Sequence, residues 1–170
     1  LFLTLVLFLS FPVATSAGLR ATDEPLDSPL LELQDEEGEV HRLQNYQGQV
    51  LVVNFWASWC TPCVRDLPGL NRLRKEFHDQ PFEILGVNVA EPPNRLKRFF
   101  KGQPIDFPVL YDRESETFYA WEVKGLPTSF VIDREGRIRY LVRGAIEWDD
   151  AETIGIIKGL LGQTAEETSP

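Results

Sequence analysis

Two cysteines stand three residues apart where an apolar strand meets an amphipathic helix, and no other feature of the chain constrains its fold as much. Residues 50–55 read Val-Leu-Val-Val-Asn-Phe, a nearly continuous apolar run of the kind expected from a central strand buried on both faces. After Trp59-Cys60-Thr61-Pro62-Cys63, apolar residues recur every three or four positions at Val64, Leu67, Leu70, Leu73 and Phe77, which predicts a helix. Pro62 suits its first turn, where a backbone N–H is not needed, and Pro68 predicts a kink.

The remaining pattern builds outward from that junction. Residues 31–43 predict a β-hairpin around Asp35-Glu-Glu-Gly38. Residues 84–89 predict a second apolar strand, 94–101 a short basic helix with a solvated face, 107–110 a short strand and 114–121 another helix. Strands at 129–132 and 138–142 flank the turn Asp133-Arg-Glu-Gly136. Asp149 with Glu152 predicts a capping box opening a last helix, with Ile154, Ile157 and Leu161 on one face. This order predicts an α/β fold, a mixed central sheet with helices on both faces, and 170 residues suit one domain.

Residues 1–19 carry no charge, which approaches the roughly 20 apolar residues that span a bilayer. Pro12 and Ala14-Thr-Ser-Ala17 have the small-residue character of a cleavable signal. Either reading predicts export, and the absence of a starting Met predicts a natural beginning further upstream. Residues 20–29, polar with two prolines, are expected to be a linker; 30–162 form the folded domain and 163–170 a tail. A net charge of -9 argues against nucleic acid, since phosphate binding needs clustered Lys and Arg.

The chemistry rests on the cysteine pair. Free N–H groups and the dipole at a helix N-terminus favour an anion by roughly 0.3–2 kcal/mol, so Cys60 is the expected nucleophilic thiolate. Cys63, one turn further in, is placed to resolve a mixed disulfide. Three other readings compete. A structural disulfide closing so short a loop would constrain the unfolded chain little. A metal centre needs three or four ligands, and neither His41, in the hairpin, nor His78, at the far end of the helix, is expected to reach. A peroxidase would carry Thr or Ser three residues before its cysteine, where this chain has Ala57 before Cys60.

Phe55-Trp-Ala-Ser-Trp-Cys-Thr-Pro-Cys63, Gly125-Leu-Pro-Thr128 and Val131-Ile-Asp-Arg-Glu-Gly136 together resemble the TlpA/ResA-like family of thioredoxin-fold, membrane-tethered thiol–disulfide oxidoreductases. The resemblance implies a thioredoxin fold with an N-terminal hairpin extension at 31–43 and a helical insert near 91–110. It implies a redox-active Cys60–Cys63 disulfide, a cis-Pro127 that holds an extended substrate beside it with Thr128, and Trp59 and Pro62 shaping the site. Trp56 is expected in the core. Glu91, in Val87-Asn-Val-Ala-Glu91, is implied as an acid that exchanges protons with the cysteines, against the solvated loop residue its neighbours Pro92 and Pro93 suggest. Thr61-Pro62 departs from the Glu-Pro of ResA-type proteins, which leaves the direction of electron flow open.

By resemblance the chain is a monomeric, extracytoplasmic reductant of protein disulfides, with apocytochrome c as a client, a membrane thiol donor as its electron source, and neither cofactor nor metal. The alternatives are a disulfide-donating oxidant of the same fold and a non-enzymatic binding or metal-handling module.

Overall fold

The run at 50–55 becomes the middle of the sheet, because the seven successive residues Val50–Trp56 are shielded on both faces. The computed structural model describes residues 18–162, so nearly all of the expected signal or anchor, 1–17, and the expected tail, 163–170, lie outside the described residues. The elements are β1 (Arg20–Asp27), β2 (Glu32–Gln34), β3 (Val40–Arg42), β4 (Val50–Trp56), α1 (Thr61–Glu76), β5 (Phe82–Val89), α2 (Pro93–Phe100), β6 (Val109–Asp112), α3 (Glu116–Ala120), β7 (Thr128–Ile132), β8 (Arg137–Arg143) and α4 (Ala151–Gly162).

Six strands form one sheet in the order β1-β8-β7-β4-β5-β6, and β2 pairs with β3 in a separate ribbon. β4 runs parallel to β5 and antiparallel to β7, the mixed arrangement expected of a thioredoxin fold. Side-chain alternation along β4 divides the core. Val50, Val52 and Trp56 pack under α1, α2 and α4, with Leu67, Leu70, Leu96 and Leu160. Leu51, Val53 and Phe55 face the other way, onto Leu31, Trp121 and Phe130. Each fully buried side chain of this size contributes roughly 1.5–3 kcal/mol, which makes β4 the strand that the rest of the molecule is organised around. Among the described residues no helix is long and apolar enough to cross a membrane.

Two expectations change. The expected linker, 20–29, is an edge strand for most of its length: Arg20–Asp27 pairs antiparallel with β8, and the register shifts between Ala21 and Leu26. Its side chains are almost all exposed, so main-chain hydrogen bonds hold it, and hydropathy patterning carries no trace of them. Pro25 is tolerated there because it falls at an edge, within the irregular stretch. α1 runs on through Pro68, which lies on its exposed side. Finally, Asp150 rather than Asp149 caps α4, its Oδ1 accepting from the Thr153 N–H at 2.7 Å. Asp149 is taken instead by the Arg72 guanidinium on α1, through bonds of 2.7 and 3.0 Å.

Candidate active site

The strand-to-helix junction carries the cysteines to the end of the sheet. Cys60 is the N-cap residue of α1 and Pro62 lies in its first turn. The two cysteines form a disulfide, with Cα atoms 5.2 Å apart, and the Cys60 Sγ accepts a hydrogen bond from the Cys63 N–H at 3.3 Å. A helix N-terminal N–H therefore already points at the sulfur that would carry negative charge after reduction. Cys60 is 6% exposed and Cys63 1%, so the outer sulfur is the one a client can reach.

The opposite wall comes from β7. Phe55 pairs with Thr128, which places Pro127, one residue earlier, at the same end of the sheet as the cysteines. The Leu126–Pro127 bond is cis. Thr128 Oγ1 donates to the Gly125 carbonyl at 2.8 Å and fixes the turn before it, while the Gly144 N–H donates to the Pro127 carbonyl at 2.9 Å, tying in the loop after β8. Trp59 is 60% exposed beside Cys60. Trp56 is fully buried and packs on Phe99, with ring centroids 5.5 Å apart, so it belongs to the core as expected.

Glu91 is buried, not a solvated loop residue. Its Oε2 accepts from the Ser58 N–H at 2.6 Å and from Asn88 Nδ2 at 2.8 Å, and its Oε1 from Ser58 Oγ at 2.6 Å. Arg95 Nε lies 2.9 Å from the same Oε1, and it also donates to Ser58 Oγ at 3.2 Å. Arg95 is thus more than the solvated helix face expected of it. Four donors converge on two carboxylate oxygens, about as many as they can accept. Glu91 thereby clamps the loop that carries Ser58 and Trp59 into Cys60.

Asp66 is a candidate site residue that sequence reasoning missed. It lies three positions after Cys63, on the same side of α1, and is 4% exposed. Burial pushes its carboxyl up to about 7, against weaker opposing effects from the Trp148 indole N–H, the Ile146 backbone N–H and the Arg65 charge. The Trp148 Nε1 donates to Oδ2 at 3.4 Å. An open cavity of about 420 Å³ beside Asp66 is lined by Arg65, Arg72, Ala145, Ile146 and Glu147. The signal was present: Asp66 falls inside the apolar arc of α1, between the directions of Leu70 and Leu73, where a carboxylate has no structural reason to be.

Residues 27–141 match the AhpC/TSA family. The chain belongs to that family. Among its relatives it is similar to the thiol-disulfide oxidoreductase ResA of Geobacillus thermodenitrificans, 37% identical over 123 residues that cover 72% of this chain and 71% of the relative. The ResA of Bacillus subtilis is 34% identical over 133 residues, 78% of this chain and 74% of that one. The structure is similar to a thiol:disulfide interchange protein of the thioredoxin family from Chlorobium tepidum, with a TM-score of 0.69 and 28% identity over 84% of this chain and all of that one. With its Cys60–Cys63 pair, this AhpC/TSA-family chain is a redox enzyme of the thiol–disulfide oxidoreductase class, built on the thioredoxin fold.

One group of potential metal ligands occurs among the described residues, Asp35, Glu39 and His41 in the hairpin, within 4.8 Å of one another. Both ring nitrogens of His41 are already engaged, by Asp35 and by the Tyr46 hydroxyl. The clamp gives a direct expectation for this AhpC/TSA chain. Glu91→Ala leaves the Ser58 N–H and the Asn88 amide without acceptors and should destabilise the oxidised protein by about 3 kcal/mol in urea denaturation. A change below about 0.5 kcal/mol would contradict the clamp.

Proposed function

We propose that this chain is an extracytoplasmic reductant of protein disulfides, tethered to the cytoplasmic membrane by its N-terminal segment, and that apocytochrome c is its client. The observation that carries the reading is the pairing of a reachable Cys60 at the N-terminus of α1 with a deeply buried Cys63 and Asp66 on one side of that helix.

In the reduced protein the Cys60 thiolate attacks one sulfur of the client disulfide. A mixed disulfide forms and the first client sulfur leaves as a thiolate. Cys63 then loses its proton to the Asp66 carboxylate and attacks the Cys60 sulfur, releasing the second client thiolate. Two electrons pass from the Cys60–Cys63 dithiol to the client, which ends reduced while this chain ends as the disulfide. Glu91 holds the loop before Cys60 during both attacks and, with its oxygens occupied, acts by positioning. Asp66 takes over the proton exchange that the family resemblance assigns to Glu91. A membrane thiol donor then reduces the pair again.

The ResA-like segment ending in Glu91 favours the haem-binding Cys-x-x-Cys-His of apocytochrome c as the client, because its two thiols must be reduced before haem attachment. The test is a strain lacking this protein. It should lose most covalent c-type haem on a haem-stained gel and regain it when an exogenous thiol reductant is supplied. Normal c-type haem in that strain would overturn the client assignment and leave the oxidoreductase itself standing.

A further inference from the structure

The charges around the cysteine pair run against those of the chain as a whole. The net charge is -9, yet Arg65, Lys124 and Arg143 are all exposed on the elements that border the site. Arg65 follows Cys63 by two residues and lines the cavity with Ala145 and Ile146. Lys124 stands in the turn leading into the cis bond at Pro127. Arg143 is the partner in register of Thr128, and the next residue, Gly144, donates to the Pro127 carbonyl. Some surface cations have carboxylate partners, such as Arg72 with Asp149 and Arg74 with Glu83, and others, such as Lys75 and Arg98, have none. Among the described residues these three make no ion pair.

Acids also stand near this rim, among them the exposed Glu122, two residues before Lys124. Glu147 lines the cavity beside Arg65, Asp66 is buried beneath it, and the charge of Glu91 is matched by Arg95. The segments that carry these cations also bring apolar side chains to this end of the molecule: Trp59 is exposed, and Leu126 and Ile146 are half-buried against the core.

We propose that this rim selects client segments that carry Asp or Glu next to the disulfide, an inference that rests on the reductase reading above. A client strand laid across Trp59, Pro127 and Ile146 brings its neighbouring side chains close to Arg65, Lys124 and Arg143. The chemistry stays the two-electron exchange already described, and the rim acts on encounter and docking. At such separations in water, each client carboxylate is worth about two- to threefold in rate at low salt, with screening at high salt.

The experiment uses the full chain, reduced, against three disulfide-cyclised peptides identical except for Asp, Asn or Lys on either side of the cysteines. Exchange is followed by stopped-flow tryptophan fluorescence. At about 10 mM salt, where the screening length is roughly 30 Å, the Asp peptide should react about fivefold or more faster than the Lys peptide, with Asn between, and the order should flatten near 1 M. Arg143→Glu should shrink or invert the order, whereas Lys75→Glu, the same charge change in the last turn of α1, should leave it intact. Equal rates for the three peptides, or a faster Lys peptide, would overturn the rim and leave the reductase reading standing. No exchange with any of them would overturn that reading and the rim with it.

Discussion

Cys60→Ser should lower the turnover of protein disulfides by at least roughly 10³-fold, because a serine hydroxyl at a helix N-terminus is not a nucleophile without a base to activate it. Cys63→Ser should behave differently. Its Cys60 still attacks, but nothing resolves the product, so a client with one disulfide should accumulate as a stable 1:1 mixed disulfide, visible as an added mass that disappears on reduction. The asymmetry follows from burial, since Cys63 is 1% exposed and is shielded from the client by Cys60. The two variants separate the enzyme from a binding module: a module would keep its function in both. Trapping through Cys63 in the Cys60→Ser variant would reverse the assigned roles.

The second large effect concerns Asp66. Its carboxyl sits at about 7 in the folded protein and near the ordinary aspartate value when unfolded, so between about pH 4 and 7 the folded state holds the extra proton. Stability should therefore fall as pH rises through that interval, the cost being complete above it. At 1.36 kcal/mol per pH unit over about three units, the upper bound is about 4 kcal/mol. Asp66→Asn keeps an acceptor for the Trp148 indole and removes the charge, so it should stabilise the oxidised protein by up to that amount at pH 8 and little at pH 4. Urea denaturation across that range is the measurement. A variant that gains nothing at pH 8 would show that the carboxylate is solvated when ionised. The same variant should also lose the inflection near pH 7 in the rate at which Cys63 resolves a mixed disulfide.

What could be read from the sequence was whatever leaves a side-chain pattern. The apolar run at 50–55, the cysteine pair behind it, the helical spacing of Leu67, Leu70 and Leu73, and the Leu-Pro-Thr turn all mark places where burial or backbone geometry restricts residue type. β1 left no such mark, because exposed strand residues are held by their backbones and almost any side chain is tolerated. The cap of α4 was misplaced by one residue, since Asp149 and Asp150 are equally good caps locally and only Arg72, 77 residues earlier, decides between them. Glu91 was placed near the site by resemblance, but its partners Ser58 and Arg95 come from the loop before Cys60 and from α2, and local sequence made it a solvated residue. Asp66 was legible and passed over: a single acid in an apolar arc reads as noise until its burial is seen.

The role proposed for Cys60 and Cys63 is that of a reducing dithiol. It is tested most directly by the reduction potential of the pair, titrated in a thiol–disulfide buffer with tryptophan fluorescence as the readout, since Trp59 stands beside Cys60. A reversible two-electron transition at or below roughly -250 mV, in the range of thioredoxin, is the predicted result. A midpoint above roughly -150 mV, towards the strong oxidants, would make the protein a disulfide donor and contradict the direction of electron flow assigned here.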